Sequence, residues 1–99
     1  MDWIEIIQLK SFTGRDRDTA VAAFQQLTAP LSDANLQEID LFKSPNLENE
    51  LSILINWYGD VPPNGKSGLG LQLARAFSEF GYIRHSGWWH SSRVVHKAL

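Results

Sequence analysis

The sequence contains no cysteine, and this absence excludes several kinds of chemistry. Without thiols the protein can form no disulfide bond, iron–sulfur cluster or thiolate zinc site, and it has no cysteine nucleophile. The net charge is also small: the sequence has nine basic and eleven acidic side chains, which give a formal net charge of −2. No basic block interrupts this balance, so we expect neither a nucleic acid nor an anionic membrane as a partner.

Long apolar runs are missing as well. The first ten residues, MDWIEIIQLK, carry Asp2 and Glu5 in and beside a short apolar stretch, which matches neither a signal peptide nor a membrane span. We therefore expect a soluble, cytoplasmic protein. Its 99 residues, 43% of them apolar, predict one domain spanning 1–99 with an ordinary core, in which residues 91–99 form a tail or an arm.

The hydrophobic pattern predicts four strands and two helices. Strands are expected over 3–12, 36–43, 51–58 and 82–90. A helix capped by Thr13 or Asp16 should follow the first strand and stop at Pro30, and a second helix should run from an N-cap at Ser67 to a left-handed Gly81. The order β-α-β-β-α-β predicts an α+β, ferredoxin-like antiparallel sheet with both helices on one face and a bare opposite face.

Alternation along the strands predicts which face each side chain occupies. Leu51, Ile53, Ile55 and Trp57 form an unbroken apolar face, and Ser52, Leu54, Asn56 and Tyr58 form a mixed one. Trp88 and Trp89 are adjacent and must point to opposite sides. Counting from Ile83 places Trp89 on the helix side, and one of the two tryptophans is expected in the core.

The loop GDVPPNGKSGLG, residues 59–70, has some of the residues of a phosphate-binding loop. In such a loop, four residues separate the first glycine from Gly-Lys-Ser, and successive backbone N–H groups converge on a phosphate. Here five residues separate Gly59 from Gly65, and two of them, Pro62 and Pro63, have no N–H to donate. We interpret the loop as a helix-entry turn with a solvated Lys66.

Several polar groups are candidates for a binding site. Asn56 and Tyr58, with Arg84, Trp88 and His90 on the last strand, could orient a planar ligand that carries oxygen atoms; alternatively they satisfy one another at a dimer interface. The spacing of His85, His90 and His96 matches no common metal motif, so no metal is expected. Glu38 and Asp40 share a strand face and are interpreted as solvated edge charges rather than as an acid–base pair.

The element order, the strand IEIIQLKSF and the segment LSILINWYG before a glycine-marked second helix resemble the dimeric α/β-barrel superfamily, and within it the branch of antibiotic biosynthesis monooxygenases. The resemblance implies a homodimer whose two sheets pack into a barrel. Monooxygenases of that branch oxidise aromatic polyketides without a cofactor and line their cavity with Asn, Trp, Tyr and Arg, the residue types of Asn56, Trp57, Tyr58 and Arg84.

The sequence departs from the branch in two respects. Asn56 and Trp57 are adjacent and should face opposite ways. Haem-degrading members place a histidine on the second helix, where residues 67–80 have none. Two hypotheses therefore stay open: a small dimeric protein that binds a planar organic ligand or acts as an interaction module without cofactor, and a cofactor-independent monooxygenase of an aromatic polyketide-like substrate.

Overall fold

The computed structural model describes residues 2–27 and 33–97, and within them it contains four strands and two helices in the predicted order. Pro30, the predicted end of the first helix, lies outside the described residues. The elements are β1 (Trp3–Ser11), α1 (Gly14–Gln25), β2 (Leu36–Lys43), β3 (Glu50–Trp57), α2 (Gly68–Phe77) and β4 (Gly81–Trp89).

The strands form one antiparallel sheet in the order β2-β3-β1-β4. The connection from β1 to β2 therefore passes β3, and the connection from β3 to β4 passes β1. Both helices pack on the same face of the sheet, since Ala20 of α1 and Leu73 and Phe77 of α2 belong to one core cluster with the strand residues. The predicted α+β ferredoxin-like fold is confirmed.

The register of the strands decides which side chains are buried. Trp3 on β1 pairs with Trp57 on β3 and with Trp89 on β4, and paired residues lie on the same side of a sheet. The rings of Trp3 and Trp57 stack with centroids 5.7 Å apart and an interplanar angle of 13°. The predicted apolar face of β3 is confirmed as core, together with the odd-numbered residues Trp3, Ile7 and Leu9 of β1.

The helix starts follow the sequence closely. Thr13 caps α1 by accepting a hydrogen bond from the N–H of Asp16 at 3.0 Å, and Ser67 caps α2 by accepting one from the N–H of Gly70 at 2.8 Å. The predicted left-handed Gly81 is wrong, because among the described residues only Gly59 and Gly65 have positive φ. Gly81 instead opens β4, where a side chain would collide with the backbone of Lys10.

Arg17 ties α1 to the loop between β2 and β3. Its Nη1 donates a hydrogen bond to the backbone oxygen of Glu48 at 3.0 Å. Hydrogen bonds to the side chains of Asp18 and then of Glu48 raise the pKa of Arg17 above its ordinary value. The guanidinium therefore stays charged throughout the neutral pH range.

The end of β4 differs from the prediction. Trp89 does lie on the helix side and Trp88 on the other, yet neither is core, with exposed fractions of 69% and 57%. The strand reaches past the cover that the helices provide, so the expectation of one buried ring is wrong for the single chain. Residues 90–97 follow without regular structure and are exposed, and Val94 is 97% exposed.

The face of the sheet opposite the helices is bare in the single chain and will be called the open face. Its centre is apolar, with half-buried Ile4, Ile6 and Leu54 side by side on β1 and β3, and the exposed rings of Phe42 and Trp88 toward its edges. No helix of the described residues is long and apolar enough to cross a membrane.

Candidate functional site

A cleft of about 520 Å³ lies at the end of the sheet where β1 begins and β3 and β4 end. It extends from the open face around to the exposed C-terminal end of β4 and will be called the tryptophan cleft. Its volume falls in the range of about 300–1,000 Å³ that is usual for small-molecule sites. It is lined by Asp2, Trp3, Ile4, Gln37, Asn56, Trp88, Trp89, His90 and Arg93.

The structure brings three of the five predicted site residues together in this cleft. Ile4 pairs with Asn56 on one side and with Trp88 on the other, so the amide and the indole flank one apolar side chain. His90 follows the strand, and its backbone N–H donates to the oxygen of Asp2 at 3.2 Å. The cleft therefore presents flat rings, an amide, an imidazole and the guanidinium of Arg93 to a ligand.

Local hydrogen bonds orient the two open-face side chains. The Nδ2 atom of Asn56 donates to Oε1 of Glu38 at 3.4 Å, across the β2–β3 pair. The indole N–H of Trp88 donates to Oγ of Ser86 at 2.9 Å, two residues back on the same face. These contacts leave the Asn56 carbonyl oxygen and the face of the Trp88 ring available to a ligand.

Tyr58 and Arg84 lie elsewhere. Tyr58 follows the last residue of β3, and its backbone N–H donates to the oxygen of Asn35 at 2.8 Å. Arg84 lines a second, smaller cleft of about 310 Å³ on the open face, with Gln8, Lys10 and Tyr82 among its neighbours. Arg84 and Trp88 are four positions apart along β4, about 13 Å of strand, so the two do not meet around one small ligand.

A buried polar cluster lies on the other side of the sheet, between the strands and α2. The side chain of Glu5 on β1 is fully buried and is hydrogen-bonded to groups on three other segments. Its Oε1 accepts from Nε1 of Trp57 at 2.8 Å and from the hydroxyl of Ser67. Its Oε2 lies 2.6 Å from Nε2 of His85 on β4.

The start of α2 is built around this carboxylate. Ser67 both caps the helix and donates to Glu5, so the carboxyl group of Glu5 lies at the positive end of the helix dipole. Gly70, in the first turn, has no side chain, and any Cβ there would collide with the Glu5 carboxylate. Within the described residues no buried side-chain nitrogen or oxygen lacks a partner, so the cluster is satisfied.

Sequence reasoning missed Glu5 as a site residue. One signal was present: alternation along β1 puts Glu5 on the same face as Trp3 and Ile7, where a carboxylate needs a partner. The partners could not be read from the chain, because Trp57, Ser67 and His85 lie 52, 62 and 80 residues away.

The glycine loop between β3 and α2 has the role that the sequence predicts. Gly65 has a φ of 71°, and Ser67 begins α2 as its N-cap, so the loop is a helix-entry turn. The described residues contain no group of three or more His, Cys, Asp or Glu side chains that could hold a metal ion.

Comparison with known proteins identifies relatives of the fold only by structure. No family model matches the sequence, and no curated protein matches it. A dimeric ferredoxin-like protein from an uncultured marine organism is 12% identical over 97% of this chain and 93% of that chain, with a TM-score of 0.68. SnoaB, a cofactor-independent oxygenase from Streptomyces nogalater, is 9% identical over 96% of this chain and 98% of that chain, with a TM-score of 0.63.

A third similar structure is a candidate antibiotic biosynthesis monooxygenase from Bordetella bronchiseptica, 14% identical over 95% of this chain and 98% of that chain, with a TM-score of 0.58. The chain shares the ferredoxin-like fold of these structures. This confirms the resemblance seen in the sequence at the level of the fold. At identities this low the likeness to these proteins concerns architecture, and chemistry has to be argued from the side chains.

Proposed function

We propose that the protein is a homodimer that binds a small planar organic ligand in the tryptophan cleft. The observation that carries this proposal is the convergence of Trp88, Trp89, Asn56 and His90 around one cleft of about 520 Å³. Flat aromatic walls favour a flat ligand, and the amide and imidazole supply hydrogen bonds that fix its orientation. The guanidinium of Arg93 adds a positive charge suited to a carboxylate, phenolate or carbonyl oxygen.

The open face supports the homodimer. Ile4, Ile6 and Leu54 form an apolar centre that a single chain leaves in contact with water, and a second copy of the same face would bury it. One of the similar structures is itself a dimeric ferredoxin-like protein. Packing two open faces together would also cover the open-face side of the tryptophan cleft and shield a bound ligand from water.

Charge on the open face favours one orientation of the two subunits. Glu38 and Asp40 lie on β2 at one edge of the sheet, whereas Arg84 lies on β4 at the other edge, with Lys10 on the neighbouring β1. A two-fold axis along the strands places β2 of one subunit opposite β4 of the other, so unlike charges meet. An axis across the strands would instead place the acidic β2 strands against each other.

Native mass spectrometry of the protein as purified tests both parts of the proposal, because it reads subunit number and retained ligand together. We expect a dimer that carries a reproducible additional mass. The additional mass should disappear in Trp88→Leu and persist in Tyr82→Leu, a control that removes an exposed ring from the same face of β4 outside the cleft. A monomer would contradict the barrel, whereas an empty dimer would contradict ligand binding and favour an interaction module.

Cofactor-independent oxygenation is the second candidate function. Its support is the likeness of fold to SnoaB, whose name describes a cofactor-independent oxygenase. In this chain Asn56 and Trp88 would contact an aromatic polyketide-like substrate, while Arg84 and Tyr58 lie outside the tryptophan cleft. Oxygen uptake with hydroxyanthrones tests it: consumption above the buffer rate supports the activity, and the buffer rate across several hydroxyanthrones contradicts it for that substrate class.

A further inference from the structure

The second cleft on the open face, of about 310 Å³, is lined by polar and charged side chains from three adjacent strands. Its volume lies at the lower end of the range of about 300–1,000 Å³ for small-molecule sites. It shares no lining residue with the tryptophan cleft and will be called the cationic cleft. The side chains that concern us here are Gln8, Lys10, Glu50, Ser52, Tyr82 and Arg84.

Two cations of this cleft are close neighbours on adjacent strands. Arg84 pairs with Gln8 and Lys10 pairs with Tyr82, so the two cations are diagonal neighbours on one face, about 7–8 Å apart. Neither cation forms an ion pair within the described residues, although Glu50 lies opposite Lys10 on β3. Like charges held this close repel each other unless an anion lies near them.

The guanidinium of Arg84 differs in its contacts from that of Arg17. Arg17 donates hydrogen bonds to Asp18 and Glu48, whereas Arg84 has no protein acceptor among the described residues. The planar fork of a guanidinium matches the two oxygens of a carboxylate, and an ammonium adds a mobile point charge. An anion that contacts both Arg84 and Lys10 would accept hydrogen bonds from each and offset the repulsion between them.

The remaining groups of the cleft favour one class of anion. The cleft carries two positive charges and the single negative charge of Glu50, a balance that suits a singly charged carboxylate better than a phosphate dianion. The ring of Tyr82 is 70% exposed and meets Phe12 edge to face, with centroids 5.1 Å apart and an interplanar angle of 81°. This contact orients the Tyr82 ring, which offers a flat apolar wall to an aromatic ligand.

We infer that the cationic cleft binds a small aromatic carboxylate. The carboxylate accepts hydrogen bonds from Arg84 and Lys10, and the ring of the ligand lies against Tyr82. The Gln8 amide and the Ser52 hydroxyl are available to polar substituents on that ring. Lys10 and Tyr82 are each one residue from the end of their strand, so the ligand enters from the end of the sheet, beside the apolar centre of the open face.

The site belongs to one chain and does not depend on the ligand proposed for the tryptophan cleft. Titration with benzoate, followed in ¹H–¹⁵N spectra of labelled protein, distinguishes the two clefts. We expect saturable shifts of the amide signals of Lys10 and Arg84. Shifts confined to Asn56 and Trp88 would support a ligand in the tryptophan cleft and overturn the present inference, as would the absence of any saturable shift.

A second probe, inorganic phosphate, tests the class of anion. Phosphate should bind in the cationic cleft about tenfold more weakly than benzoate, because it gains nothing from the Tyr82 ring and its second charge is repelled by Glu50. Phosphate that binds as tightly as benzoate would overturn the assignment to an aromatic carboxylate.

Substitutions identify the groups that hold the anion. Arg84→Gln and Lys10→Gln should each raise the Kd for benzoate about tenfold, and Arg84→Lys should also raise it, because an ammonium cannot form the paired hydrogen bonds. Arg75→Gln is the matched control, since it removes one positive charge from an exposed position on α2 outside both clefts. An equal loss of affinity in the control would show an effect of net charge alone and would contradict a specific site.

Arg84 and Lys10 also belong to the charge pattern proposed for the dimer, so native mass spectrometry determines the subunit number of each variant. Tyr82→Leu removes the aromatic wall and leaves every charge in place, so it carries the test if a charge variant changes the subunit number. Its Kd for benzoate should rise severalfold. All three side chains are exposed, and circular dichroism checks that the variants fold. Unchanged affinity in folded Tyr82→Leu would contradict the inference.

Discussion

The carboxylate of Glu5 fills the space beside Gly70 that a side chain at position 70 would need. The first turn of α2 can therefore approach the sheet at Glu5 only because residue 70 is glycine, and the Glu5 carboxyl group that fills this space has three hydrogen-bonding partners. Packing of the helix on the sheet and satisfaction of the buried carboxyl group are thus one structural requirement.

Gly70→Ala is expected to destabilise the fold by about 1–3 kcal/mol, because the new methyl group collides with Glu5 and the helix has to move away from β1. Gly68→Ala is the matched control, since the same methyl group two residues earlier meets nothing within 4 Å. Urea unfolding monitored by fluorescence measures both. Equal midpoints for the two variants would contradict the described packing of α2 on Glu5.

Trp57→Phe separates the two roles of this indole. Phenylalanine keeps most of the buried ring but leaves Oε1 of Glu5 with one donor fewer, so we expect a loss of about 1–3 kcal/mol in the free energy of unfolding. Trp57→Ala also removes the ring that stacks on Trp3 and should lose about 3–5 kcal/mol. If Trp57→Phe were as stable as the wild type, the hydrogen bond to Glu5 would contribute nothing measurable.

Charge reversal tests the orientation of the proposed dimer. Arg84→Glu and Asp40→Arg each place like charges across the interface, so each should weaken dimerisation at least tenfold in sedimentation equilibrium at low salt. The double variant restores unlike pairs and should recover most of the affinity. Failure of the double variant to recover, with both single variants weakened, would contradict the orientation and leave the dimer intact as a proposal.

Lys66→Ala should leave stability nearly unchanged and reveal no nucleotide site. The loop that carries Lys66 is a helix-entry turn in which Asn64 Oδ1 accepts the Lys66 backbone N–H at 3.1 Å. We expect neither the wild type nor the variant to bind ATP or GTP in isothermal titration calorimetry. Micromolar affinity that disappears in the variant would show that the loop does bind phosphate.

Alternation and turn chemistry predicted most of the fold. Period-two patterns predicted both ends of β2 correctly. The predicted bounds of β3 and β4 each lie one residue later in the chain than the observed ones. The caps Thr13 and Ser67 could be predicted because a hydroxyl side chain at a helix start hydrogen-bonds to a backbone N–H only three residues later. These features depend on local sequence, and so the sequence alone was sufficient.

Features that depend on distant segments were not predictable in the same way. The face on which Trp89 lies was predicted correctly, but its exposure was not, because exposure depends on where the helices end above β4. Asn56, Trp88 and His90 meet because three strand ends coincide, whereas Arg84 and Tyr58 do not join them. The cluster around Glu5 unites four segments, and only the folded register shows that His85 is its partner.

Trp57, Trp3 and Trp89 form a row across three adjacent strands, and this row gives the protein a built-in optical reporter. The stacked indoles of Trp3 and Trp57, with centroids 5.7 Å apart, are close enough to couple their excited states, so the near-ultraviolet circular dichroism of the folded protein should change when the strands separate. Trp88 points to the other side and emits from an exposed position. Circular dichroism would then follow the integrity of the sheet, while the emission wavelength follows the surroundings of the exposed Trp88 and Trp89.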